Sequence, residues 1–233
     1  MNLITSRDNP LVKNVRRLVQ DSTGYRKAGQ FWLEGDHLCR AALARGVRPL
    51  QMVLTESFWL TQGEHWSSVC DQIVVMPDAL FASLSGLESP AQMGFVVGWT
   101  PPAQVDPNVS TVVLDRLQDA GNVGAILRCA SAFGYRQVLA IKGTAALWSP
   151  KVLRAGMGAH FGLQLVELAT EADVAALQVP ILTTSSHEGP FLHALLRRGQ
   201  LPSTCAWVMG HEGQGVSESL MALASQKVRI AQP

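Results

Sequence analysis

The chain has 233 residues, of which 47% are hydrophobic and 16% charged, with a formal net charge of +1. That length and apolar content supply a substantial core, which excludes a disordered chain and a small disulfide-stapled scaffold. No apolar run reaches the roughly 20 residues of a membrane span, and "MNLITSRDNP" has no basic flank before an apolar stretch, so neither a membrane protein nor an exported one is expected.

The front of the chain is basic. Residues 1–48 carry nine Lys and Arg against four Asp and Glu, whereas residues 49–110 carry none against six. Arg7, Lys13, Arg16, Arg17, Arg26 and Lys27 fall within the first thirty residues, and the pattern predicts a short helix over Leu11 to Val19. From residue 31 to 99, strand-like runs at "QFWLEG", "LQMVLT", "QIVVMP" and "MGFVVGW" alternate with helical stretches. "TPPAQVDPN" then packs prolines too densely for a helix or a central strand. The chain is therefore expected to comprise an N-terminal domain over 1–100, a Pro-rich linker over 101–109 and a second domain over 110–233.

In the second domain, apolar runs recur at "STVVLD", "RQVLAI", "GLQLVE", "VPILTT", "CAWVMG" and "KVRIA", with room for crossover helices between them. The fold class expected is α/β, a doubly wound parallel sheet preceded by a smaller α/β domain. Ligands of such sheets lie beyond the carboxyl ends of the strands, so chemistry is sought in the loops after Leu114, Thr183 and Met209.

The first of these loops opens "LDRLQDAGNVGAILRCASAFG". Val123, Ile126, Leu127 and Ala130 share one helical face, Gly134 can end the helix, and Asn122 is expected at its N-cap, with Arg128 on the opposite side. Taken alone, this is an ordinary cap and a solvated charge. "VMGHEGQGVS" is a second strand-to-loop transition, with Gly210, Gly213 and Gly215 around Glu212 and side chains removed where a ligand can lie against backbone amides. Taken alone, it too is a common turn. Neither loop matches a phosphate-binding loop or the dinucleotide fingerprint, which weakens the case for a small-molecule enzyme on a dinucleotide-binding fold. Cys39, Cys70, Cys129 and Cys205 form no CxxC pair and read as reduced, buried thiols of a cytoplasmic protein. His187, His193 and His211 lack metal-ligand spacing, so no metal is expected.

The two glycine-rich loops, one with an Arg and the other with a Glu, together with "SPKVLRAGMGAHF", resemble SpoU/TrmH-type RNA 2'-O-ribose methyltransferases of the SPOUT superfamily. "ITSRDNPLVKNVRRLVQDSTGYRKAGQFWLEG" is also similar to the start of their ribosomal-protein-like substrate-binding domain. The resemblance implies a trefoil knot, a homodimer and S-adenosylmethionine as methyl donor. It implies catalytic roles for Asn122, Arg128 and Glu212, and a cofactor pocket at Thr183, Gly210, Gly215 and Ile230.

By that resemblance, Arg128, positioned by Asn122 or Glu212, stabilises the oxygen of the attacking 2'-OH. The basic front and Arg154 hold RNA phosphates, with ribosomal RNA preferred over transfer RNA. Ala120 stands where the family usually has Pro, and the sequence stops at Pro233, where family members continue through the rest of the third motif and a final helix. The alternative reading is a non-catalytic RNA-binding relative that has lost the methyl donor.

Overall fold

The computed structural model describes residues 1–101 and 104–231, so the linker expected at 101–109 lies partly outside the described residues. The chain divides into two compact units, Met1–Thr100 with Trp148–Phe161, and Pro101–Leu147 with Gly162–Pro233.

The first unit runs β1 (Asn2–Leu3), α1 (Pro10–Gln20), α2 (Gly24–Ala28), β2 (Gln30–Glu34), α3 (Asp36–Ala44), β3 (Gln51–Thr55), α4 (Glu56–Trp66), β4 (Ile73–Met76), α5 (Asp78–Ala82) and β5 (Met93–Gly98). Its sheet, ordered β1-β4-β3-β5-β2, is mixed: β5 runs antiparallel to β2 and β3, and the other pairs are parallel. Four of these strands are the four apolar runs read from the sequence. The fifth, β1, has two residues and no periodicity to read.

Helix α1 starts where Asn9 accepts the backbone N–H of Leu11, with Pro10 in the first turn, where its missing N–H costs nothing. Leu11, Val12, Val15 and Leu18 are buried at helical spacing, which leaves Lys13 and Arg17 on the solvent side.

From residue 111 the order is β6 (Thr111–Leu114), α6 (Ala120–Ala132), β7 (Gln137–Ile141), α7 (Pro150–Gly156), β8 (Gln164–Ala169), α8 (Glu171–Ala175), β9 (Ile181–Thr184), α9 (Leu192–Arg197), β10 (Ala206–Met209), α10 (Glu218–Ala222) and β11 (Gln226–Val228). Helix α7 lies in the segment that groups with the first unit, where the Trp148 ring sits 4.7 Å from that of Phe31.

All six strands of the second sheet are parallel, in the order β11-β9-β10-β6-β7-β8, as the apolar runs predict. Both faces are covered. Val113, Leu139, Val208 and Leu220 pack in one cluster, and Leu182, Leu195 and Val228 in another. Gln137, wholly buried, donates to Thr111 and to the backbone of Asp106 and accepts from the Asp106 N–H, so its amide costs the core nothing unsatisfied.

Strands β7 and β8 are laid outward on one side of β6 and β9 to β11 on the other. The direction of winding therefore reverses beside β6, which opens a crevice at the carboxyl ends of β6, β10 and β9, three neighbours in the sheet.

Candidate functional site

A cavity of about 780 Å³ occupies that crevice. Leu117, Asn122, Ala125 and Ile126 line it from the segment after β6, Gly210, Glu212 and Gly215 from the loop after β10, and Thr184 and Ser185 from the end of β9. Arg229 and Ile230, just past β11, complete the wall with Phe191. The lining combines apolar side chains, hydroxyls, bare glycine backbone, one carboxylate and one guanidinium. It suits an amphipathic ligand with a flat ring and a zwitterionic end.

Glu212 joins the two principal loops. Its carboxylate accepts the backbone N–H groups of Asp119 at 3.1 Å and Gln118 at 3.4 Å, and the Asn122 side-chain amide at 3.3 Å. Its own backbone N–H, then that of Asp119, hold the carboxyl down at about 2. A depressed pKa makes the contact complete above the ordinary value of 4.5 and lost only as pH falls through about 2. An acid titration of the Glu212 carboxyl carbon by NMR is expected to show its midpoint near 2, and a midpoint near 4.5 would mean that the contact does not form in solution.

The N-cap of α6 is Asp119, which accepts the Asn122 N–H at 2.7 Å; Asn122 is not the cap expected from sequence but sits one turn inside. Both residues are short polar side chains suited to a cap, and the loop's curvature decides between them. Val123, Leu127 and Ala130 are buried as expected, and Gly134, at φ +79°, follows the helix end.

Arg128 lies on the exposed side of α6, outside the residues that line the cavity, and no described side chain bonds it. It lies six positions beyond Asn122, about 9 Å along the axis and about 120° around it, and the bonds to the Glu212 carboxylate come from Gln118, Asp119 and Asn122 instead. The expected positioning of Arg128 by Asn122 or Glu212 is therefore corrected.

Of the four expected cofactor residues, Gly210, Gly215 and Ile230 line the cavity. Thr183 does not: it is wholly buried with an unpartnered Oγ1, and Thr184 takes the place expected of it. Alternation along "ILTT" turns neighbouring residues to opposite faces, so an error of one position reverses the assignment. Sequence reasoning also missed Thr184, Ser185, Phe191 and Arg229. The Arg229 guanidinium lies 4.2 Å from the Phe191 ring centroid, and its Nε donates to the Gly189 carbonyl at 2.7 Å.

Lys13, Arg16 and Arg17 line one shallow depression on α1. Arg7, Arg26, Lys27 and Arg154 lie outside it; Arg26 rests against the ring of Tyr25, and Arg154 is exposed on α7. The thiols are not all buried as expected: Cys39 and Cys205 are, Cys70 is half-buried, and Cys129 is exposed on α6. All four are free.

Residues 110–233 match the model of the SpoU rRNA Methylase family, and residues 9–94 that of the MRM3-like substrate binding domain. An uncharacterized tRNA/rRNA methyltransferase of Synechocystis sp. is 31% identical over 98% of this chain and 85% of its own. The 23S rRNA (guanosine(2553)-2'-O)-methyltransferase RlmP of Bacillus subtilis is 25% identical over 95% of this chain and 87% of its own. The AdoMet-bound rRNA methyltransferase from Sinorhizobium meliloti, 22% identical, shares the fold with a TM-score of 0.81 over 100% of this chain and 89% of that one.

Proposed function

This chain belongs to the SpoU rRNA methylase family, and from that premise we propose that it transfers a methyl group from S-adenosylmethionine to a ribose 2'-OH of ribosomal RNA. The observation that carries the reading is the cavity at the carboxyl ends of β6, β10 and β9, with Asn122 and Glu212 joined across it. Its size and lining fit the donor: Leu117, Ile126 and Met209 offer apolar wall to an adenine, while Glu212 and Arg229 offer opposite charges to an amino-acid end.

S-adenosylmethionine, when bound, supplies an electrophilic methyl group. The rest of the chemistry falls to the chain and the RNA. Asn122 gives one amide hydrogen to Glu212, which leaves its side-chain oxygen as an acceptor beside the cavity. Arg128, exposed and unpaired, is free to meet the RNA, where its fixed donors stabilise the developing 2'-oxyanion and the adjacent phosphate. A guanidinium keeps its own proton, so the hydroxyl proton passes to an RNA phosphate oxygen or to water.

Lys13, Arg16 and Arg17 act as phosphate contacts, with Arg7, Arg26, Lys27 and Arg154 extending the basic surface. The reading also includes the trefoil knot, a cytoplasmic setting and a homodimer. The dimer is supported by an apolar groove of about 360 Å³ lined by Cys129, Phe133, Leu192, Trp207 and Ile230, beside which Phe133 is 80% exposed.

The test is calorimetric titration with S-adenosylmethionine, followed by mapping of 2'-O-methyl groups in ribosomal RNA incubated with protein and donor. Binding and a methylated ribose are expected. RNA binding without donor binding would leave the non-catalytic relative, and methylation of transfer RNA alone would move the substrate. Raising salt from about 50 to 200 mM is expected to weaken RNA binding at least tenfold, and reversing charge at Arg16 and Arg17 to flatten that dependence. Affinity indifferent to salt would remove the phosphate contacts.

A further inference from the structure

Glu212 supplies only half of the joint between the two loops. The other half is Asp115, the first residue after β6, which is 1% exposed and is not accounted for by packing. Its Oδ2 accepts the backbone N–H of Ser217 at 2.6 Å, and its Oδ1 accepts Arg116 Nε at 2.9 Å. Arg116 in turn donates through Nη1 to Gln214 at 3.3 Å.

The links run in opposite order along the two segments: 115 with 217, 116 with 214, and 118, 119 and 122 with 212. Each loop thus offers a carboxylate to the other's backbone N–H groups, and the two close like a zip. Arg116 adopts φ +60°, a region an L side chain with a Cβ rarely enters, and its two side-chain partners hold it there.

We propose that Asp115, acting with Arg116, is a positioning residue: it locks the Gly210–Gly215 wall of the cavity to the start of α6, so that Glu212 and Asn122 stand in register with the bound donor. The inference rests on the methyltransferase reading. It assigns to Asp115 an effect on donor affinity that the core itself does not have. A buried carboxylate that only stabilised the fold would change the fraction of folded protein and leave the KM of that fraction untouched.

Asp115→Asn keeps an oxygen for the Ser217 N–H but gives up the ion pair with Arg116, and Asp115→Ala gives up both. In the full chain, the KM for S-adenosylmethionine is expected to rise roughly tenfold in the first and roughly a hundredfold in the second, since misplacement of about an ångström costs that much in a preorganised site. Circular dichroism and the thermal midpoint define the folded fraction. A folded Asp115→Ala protein with wild-type KM overturns the proposal.

If Asp115→Ala does not fold, Arg116→Gln, which changes a partly exposed side chain, is expected to raise the KM about threefold through loss of the two hydrogen bonds that the guanidinium gives to Asp115 and Gln214. An unchanged KM there overturns the proposal equally. Failure of the wild-type chain to bind S-adenosylmethionine would instead defeat the functional reading. The zip is then read from the Gln118 and Asp119 amide resonances, which should move in Asp115→Asn; unmoved resonances overturn it.

Discussion

Gly210→Ala is expected to lower the affinity for S-adenosylmethionine more than about a hundredfold while leaving the sheet folded, because preorganised contacts are lost without loss of the core. A Cβ at Gly210 would lie 2.2 Å from both the carbonyl carbon of Gly215 and the nitrogen of Val216. Those are backbone atoms, so no rotamer change relieves the clash, and the loop that carries Glu212 has to open. Strand β10 ends at Met209, just before the clash, so far-UV circular dichroism should stay as in the wild type. Gly213→Ala is the control. Its nearest neighbours are His211 ring atoms at 3.8 Å, an ordinary contact, and donor affinity is expected to stay within about twofold. Calorimetry on the two variants decides the matter: wild-type affinity in Gly210→Ala would take the cavity out of donor binding.

Arg128→Ala is expected to abolish methyl transfer, with kcat down on the order of a hundred- to a thousandfold, the usual cost of losing one donor to a developing oxyanion. Donor affinity should hardly change, because Arg128 neither lines the cavity nor bonds any described residue of it. The absence of a side-chain partner among the described residues makes the variant easy to interpret: Arg128 is exposed, so no buried charge is left behind. Single-turnover transfer to RNA, with calorimetric donor binding beside it, separates the two quantities. Turnover near wild type would remove Arg128 from the mechanism, and a parallel fall in donor affinity would mean that it acts on the cavity instead.

Most of the second sheet was legible before the structure. "TVVL", "QVLAI" and "AWVM" are short and mostly apolar, as the strands of a covered parallel sheet are, and the segments between successive runs are long enough for crossover helices. Asn122, Glu212, Gly210 and Gly215 stood out for a different reason: taken singly each loop reads as a common turn, and only the resemblance of the two loops together to SpoU/TrmH-type enzymes pointed to these residues.

Thr183 and Asp115 were misjudged or passed over because a residue at the boundary between strand and loop can face either way. Parity reverses with a shift of one residue, and only the pairing of Val208 with Thr183 sets it. Arg128 was placed on the correct side of its helix by periodicity alone, but its separation from Glu212 depends on a loop that lies ninety residues from Asn122 in sequence.

The sequence by itself determined the local quantities: which runs become strands, where α6 turns its apolar side, which loops carry glycine, and where basic charge gathers. These depend on residue type and on spacing within a few positions, where the periodicities of helix and strand act directly. Only the tertiary structure decided that Asp119 caps α6, that Thr184 rather than Thr183 faces the cavity, and that Asp115 and Glu212 are exchanged between the segments after β6 and β10. A hydrogen bond forms within about 3 Å and is indifferent to the length of chain between its partners. The partners of Asp115 and Glu212 are set by strand order, which brings β10 beside β6 and is not written in either loop.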